Sequence, residues 1–189
     1  KNDILNLRNE QNRETSFNIV IYDLNINNNT GLENLAKQLF LPETESIYIK
    51  TIFLSNAGTL GDLKMIGSDF DINTTNISDS MQMNVTSCLI LTNMLMTYYD
   101  QSMLQTAKLF IINMSTIAAI KPYPSWSLYC TMKAAKEMFF NTLALEREQD
   151  NTFKILNYAP GPVDTNVSIG VYSVYSVHVY ICVCMCIEM

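Results

Sequence analysis

Apolar positions along the chain fall into short continuous runs separated by longer stretches with one apolar face. Residues 17–24, from Phe17 through Ile19, Val20 and Ile21 to Asp23-Leu24, form a β-branched run that predicts a strand. Thr30-Gly31 then opens a segment with Leu32, Leu35, Ala36 and Leu39 on one helical face, stopped near Pro42. Ile49 to Leu54 predicts the next strand, which ends abruptly in Ser55-Asn56-Ala57-Gly58. After a loop rich in Gly, Asp, Asn and Thr, the pattern predicts a helix over about Asp79–Tyr99. Lys108 to Met114 predicts a third strand, followed by a loop holding Pro122 and Pro124. A long helix over about Ser127–Arg147 follows, then a fourth strand, Phe153–Tyr158, ending in Ala159-Pro160-Gly161-Pro162.

Strands alternating with helices of this length call for an α/β fold with a parallel sheet covered on both faces. Nearly continuous apolar strands fit that burial. Ligands of such sheets bind in the crevice beyond the carboxyl ends of the strands. Polar residues collect at those ends: Asp23, Asn56, Ser115 with Thr116, and the run from Pro160 to Thr165. The last stretch, Val171 to Met189, repeats Val, Tyr, Ser and Cys, and its period of two reads as strand-like. The expected division is therefore residues 1–167 as one domain and 168–189 as an atypical hydrophobic tail outside it.

Composition narrows the classes. The chain has 189 residues, 48% hydrophobic and 16% charged, which suits a packed core. A net charge of -6 gives no basic footprint for nucleic acid. No run is long and uninterrupted enough for a confident membrane span. Of the 5 cysteines, Cys182, Cys184 and Cys186 have a spacing that lacks the usual C-x-x-C chelate geometry, so no metal is expected. Cys88 and Cys130 lie in helical patterns as small apolar thiols. No apolar signal-peptide core follows Lys1, and the expected compartment is the cytosol.

Tyr129 and Lys133 stand one turn apart at the start of a predicted helix, so their side chains share a face. A free phenol has a pKa of about 10, and a nearby ammonium favours the phenolate. The pair is thus a candidate general acid/base. Alone the spacing is common. Here Asn56-Ala57-Gly58, Asn84, Ser115-Thr116 and Pro160-Gly161 belong to separate segments that a parallel sheet brings to one edge.

These residues together resemble the short-chain dehydrogenase/reductase family. Tyr123-Pro124-Ser125-Trp126-Ser127-Leu128-Tyr129-Cys130, followed by Lys133-Ala134-Ala135, resembles more narrowly a branch that reduces pterin carbonyls. The resemblance runs from about Asp23 to Thr165. It implies a Rossmann-like, doubly wound parallel sheet lacking the first βαβ portion and the C-terminal elements. It also implies NADPH as hydride source and a pterin side-chain carbonyl as substrate, with another short-chain carbonyl reductase or a non-catalytic remnant as alternatives.

By the same resemblance, Tyr129 donates the proton to the carbonyl oxygen. Lys133 lowers the tyrosine pKa and binds the nicotinamide ribose. Asn84 supports the proton relay, and Thr116 or Ser115 supplies the hydroxyl. Asn56, Ala57 and Gly58 lie along the cofactor, and Asp23 with Leu24 contacts the adenine. Pro160, Gly161, Val163 and Thr165 line the nicotinamide, while Ser115, Trp126 and Tyr129 face the substrate. A homodimer through the helices of Asn84 and Tyr129 is implied as well.

The sequence departs from the family in three places. The catalytic serine position holds Thr116, whose extra methyl stiffens χ1. No glycine-rich turn precedes Asp23; the chain has 6 glycines, and the first is Gly31. Such a turn ordinarily lets the backbone approach the pyrophosphate. Beyond Thr165 the tail has no counterpart in the family.

Overall fold

A computed structural model describes residues 4–8, 15–20, 31, 33–34, 48–61, 63, 74–101, 108–161 and 182–188. Its strands are β1 (Ile4–Arg8), β2 (Thr15–Val20), β3 (Tyr48–Ser55), β4 (Lys108–Met114), β5 (Phe153–Tyr158) and β6 (Cys182–Glu188). Its helices are α1 (Thr74–Met81), which continues through a π turn (Gln82–Thr86) into α2 (Ser87–Gln101), and α3 (Ser127–Glu146). Gly31, Glu33 and Asn34 are helical, within the segment predicted to be a helix.

The strands form one sheet in the order β1-β2-β6-β3-β4-β5. Its parallel part is β3, β4 and β5. Register follows the pattern of small, polar and apolar residues: Phe53 pairs with Ile111, and Ile111 with Ile155. Two residues further on, Ser55 pairs with Asn113, and Asn113 with Asn157. Parallel pairing needs a crossover, which α1–α2 supplies between β3 and β4 and α3 supplies between β4 and β5.

The remaining strands are antiparallel. β1 pairs with β2, β2 with β6, and β6 with β3. The connection over residues 9–14 is too short for a crossover, so β1 and β2 pair as antiparallel neighbours. Ile4–Arg8 drew no strand expectation from sequence, being only five residues long. β6 arises in the stretch set apart as the tail, and its strand-like alternation takes it between β2 and β3.

The main core lies between the parallel strands and the helices. Phe53, Leu109, Ile111 and Phe153 from the sheet meet Leu91, Leu95 and Met96 of α2 and Phe140 of α3. Each such side chain contributes roughly 1.5–3 kcal/mol on full burial. A second cluster of Leu60, Val85, Ala118, Tyr129 and Met132 sits beside it, at the carboxyl ends of the strands. That cluster floors the candidate site.

Candidate active site

The first wall is the loop after β3. Thr59 N donates to Asn84 Oδ1 at 3.0 Å, and Asn84 Nδ2 donates to Ser80 O at 2.9 Å. The Asn84 side chain, 1% exposed, therefore fastens the Asn56–Gly61 loop to the helix behind it. It stands in the π turn, whose extra residue re-aims a side chain that a regular helix would carry elsewhere. Gly58 lies so close that a Cβ there would meet Asn84 Oδ1 at 2.7 Å. Glycine is required at 58 by contact, not by its dihedral angles.

The second wall is the end of β4. Ser115 N donates to Tyr158 O at 2.8 Å, holding β4 to β5. The Ser115 hydroxyl donates to Glu137 Oε2 in a short bond. Thr116 caps the following 3-10 turn, its Oγ1 accepting from Ala118 N at 3.4 Å. An accepting hydroxyl keeps its own proton to donate. The two candidate hydroxyls thus differ: Ser115 is committed to a carboxylate, and Thr116 is not committed as a donor by this contact.

The third wall is α3. Tyr129, Met132, Lys133, Lys136 and Phe140 form its buried face, at the helical spacing that sequence predicts. Tyr129 is 9% exposed. Trp126 stands edge-on to its ring, with centroids 5.5 Å apart, and Tyr123 packs on Trp126 at 5.7 Å. Ser125 adopts φ 65, the left-handed region, in the turn that presents Trp126. Backbone strain of this kind concentrates at functional loops.

The electrostatics depart from the simple pairing read in sequence. Lys133 Nζ donates to Met114 O at 3.0 Å and lies 5.7 Å from the Tyr129 ring centroid. Burial pushes the Tyr129 phenol up to about 12, with Cys130 adding to the rise. Desolvation of the anion sets the direction. Burial, then the neighbouring Lys136 ammonium, brings Lys133 down to about 8. At neutral pH the site holds a protonated phenol beside a protonated amine.

That pair suits proton donation to a newly formed alkoxide. Alkoxides are nearly as basic as hydroxide, whose conjugate acid has a pKa of about 15.7. A phenol near 12 still gives up its proton to one downhill.

The structure brings together Asn56, Ala57, Gly58, Asn84, Ser115, Thr116, Trp126, Tyr129 and Lys133 at one end of the parallel strands. Pro160 and Gly161 follow the end of β5 and are exposed, Gly161 at φ 82. Asp23, Leu24, Val163 and Thr165 lie outside the described residues. Sequence reading overlooked Glu137, although its place one turn after Lys133 was a usable signal. It also overlooked Thr59, which acts through its backbone N–H and leaves no trace in residue type.

The fold and site define an α/β protein with a buried Tyr129 and Lys133 side by side at the carboxyl edge of a parallel sheet. A family model described as short chain dehydrogenase matches residues 1–173. The chain belongs to the short-chain dehydrogenase family, whose members are oxidoreductases that bind nicotinamide cofactors and act on small molecules.

Among curated relatives, sepiapterin reductase from Xenopus tropicalis is 39% identical over 121 residues, covering 64% of this chain and 44% of that protein. Sepiapterin reductase from Bos taurus is 34% identical over 139 residues, covering 73% and 49%. Thus the chain spans about half the length of the curated relatives it matches. Among solved structures, a short-chain dehydrogenase from Pseudomonas syringae superposes with TM-score 0.66 at 22% identity, over 80% of this chain and 57% of that one. One from Shigella flexneri, solved in complex with NADP, gives 0.57 at 23% identity, over 74% and 54%. Both show the fold.

Proposed function

We propose that this chain carries the proton-transfer centre of an NADPH-dependent carbonyl reductase acting on a pterin side-chain carbonyl. The observation that carries the reading is the buried Tyr129 phenol beside the Lys133 ammonium, with Trp126 edge-on to the Tyr129 ring and Tyr123 packed on Trp126. The sepiapterin reductase relatives support the pterin as substrate.

The residues at the sheet edge fit the nicotinamide end of a dinucleotide. Lys133 offers an ammonium donor, Asn56 is exposed just after β3, and no described residue stands where a side chain of Gly161 would be. When bound at this edge, such a cofactor would supply a hydride to the carbonyl carbon. Tyr129 then gives its hydroxyl proton to the carbonyl oxygen, and the Thr116 hydroxyl orients that oxygen by donating a hydrogen bond. Lys133 stabilises the phenolate that remains. Asn84 keeps the loop of Asn56–Gly58 in place by its bond to Thr59 N. Asp23, Leu24, Val163 and Thr165 complete the cofactor contacts in this proposal, and Pro160 lines the nicotinamide with Gly161. Ser115 adjoins the substrate end.

Further parts of the proposal are a cytosolic setting and a homodimer through the helices of Asn84 and Tyr129. Exposed Met138 and Leu145 on α3 support such an interface, since apolar side chains this open favour a covering partner. Residues 1–167 are proposed as the family-derived part, with 168–189 as an addition to it whose β6 joins the same sheet.

A second reading, a remnant that does not turn over, is favoured by one observation. Only β3, β4 and β5 are parallel among the described strands, and β6 occupies the flank where cofactor-binding strands would extend the sheet. Titrating the full chain with NADPH by fluorescence while assaying sepiapterin reduction separates the two. Saturable binding with turnover supports the reductase. Absence of binding leaves the remnant.

A further inference from the structure

Two side chains of α3 grip two consecutive residues at the end of β4. Lys133 Nζ donates to Met114 O at 3.0 Å, and the Ser115 hydroxyl donates to the Glu137 carboxylate. Lys133 and Glu137 are one helical turn apart, a separation at which side chains are neighbours. Between them in sequence stands Lys136, 1% exposed, whose Nζ has no hydrogen-bond partner among the described residues. A buried ammonium without a partner is costly and imposes its field on whatever lies near.

We propose that Glu137 is a positioning residue of this site, fastening the end of β4 to α3 through Ser115 and adding negative charge on the Lys133 side of the helix, against the opposing charge of Lys136. The inference rests on the reading of Tyr129 and Lys133 as the proton-transfer pair, and it gives that pair a third and a fourth member.

Among the described residues, few groups face Lys133. On α3 they are Tyr129, Lys136 and Glu137; on α2, Cys88; on β4, the carbonyl of Met114. Burial and Lys136 act to discharge Lys133, while Cys88 and Glu137 act to keep it charged. Poised between them, Lys133 changes charge in weakly alkaline solution, and Cys88, then Glu137, acts against that loss. The same carboxylate occupies the Ser115 hydroxyl, so Thr116 is the hydroxyl left to face a carbonyl oxygen. Glu137 touches neither substrate nor cofactor in this scheme; it works through Lys133 and Ser115.

The test reads Lys133 directly. The full chain is labelled with carbon-13 lysine, the Lys133 signal is identified by its loss in Lys133→Met, and its shift is followed with pH. The expected midpoint is about 8. Glu137→Gln lowers it, Glu137→Asp restores it, and Lys136→Met raises it by more. A midpoint unmoved by Glu137→Gln in a folded chain overturns the proposal. Should Glu137→Gln not fold, an unmoved midpoint in Lys136→Met does so instead. Turnover is not needed: a chain that titrates as expected but reduces no carbonyl defeats the proposed function and leaves the charge arrangement standing.

Discussion

The parallel and antiparallel parts of this sheet differ in what they can build. In β3, β4 and β5 every carboxyl end points the same way, so the loops after them converge on one edge. In β1, β2 and β6 neighbouring strands run in opposite senses, and their carboxyl ends alternate between the two edges. All described site residues belong to the parallel part or its helices. The antiparallel part supplies sheet continuity; β6 covers the flank of β3 that would otherwise expose unpaired backbone groups. The edge that carries the proposed site thus draws on only a few consecutive crossover units, and the strands beside them are of another kind.

The largest test of that division is chemical. Tyr129→Phe keeps the ring against Trp126 and removes only the donor, so carbonyl reduction is expected to fall by roughly 10²–10⁴-fold with NADPH affinity nearly unchanged. Asn6→Ala on β1, at the far edge, should change the rate less than about twofold by the same assay, well below that range. Equal losses from both would erase the contrast. For stability, Phe140→Ala should cost about 3–5 kcal/mol in urea denaturation, because Phe140 is fully buried against the parallel strands.

Next in size is a pH effect seated on Lys133. Its amine loses the proton near 8 when folded and near the ordinary lysine value of 10.5 when unfolded. Below about 8 both states are protonated, and the fold bears the cost of a buried ammonium. Between about 8 and 10.5 the unfolded chain binds more protons, so stability rises with pH through that window. The gain at this one site approaches about 3 kcal/mol. Urea midpoints of the wild-type chain should therefore climb relative to Lys133→Met from pH 7.5 to 10 (a window of about 2.5 units). Parallel curves for the two proteins would show that Lys133 is not desolvated as the structure has it.

How much of this was legible in sequence follows the same boundary. Lys108–Met114 and Phe153–Tyr158 match the runs predicted for them, because a continuous apolar run bounded by polar turns has one reading. α3 ends within a residue of its prediction. The helix of Asn84 was expected, but its π turn was not, since an added residue in a helix shifts side chains without changing composition. β1 escaped notice through shortness, and β6 was readable as a strand but not as a neighbour of β2 and β3. Pairing between distant segments is settled by tertiary contacts, which a single sequence does not display.

In the site, residue types exposed the Tyr129–Lys133 pair and the strand-end polar residues. Burial was the invisible quantity: it reversed the expected direction of the Tyr129 shift.

The smallest expected effect lies at the other end of the parallel strands. Arg147 donates to both carboxylate oxygens of Asp100, with Nη1 to Oδ1 at 2.8 Å, joining the segment after α3 to the end of α2. Nearby, Thr152 N donates to Asp150 Oδ1 at 2.8 Å, and Leu109 N donates to Thr152 O at 2.8 Å. These contacts gather at the amino ends of β4 and β5, away from Tyr129. The pair is partly solvated, with side-chain exposures of 30% and 45%, so water and salt screen it. Asp100→Asn is expected to cost no more than about 1 kcal/mol, with the difference shrinking in high salt. It should also leave the Lys133 titration unmoved. A shift of that titration on removing a charge at the opposite end of the strands would mean that the two ends of the parallel part are coupled through α2 and α3, and that the carboxyl edge is not the self-sufficient unit its geometry describes.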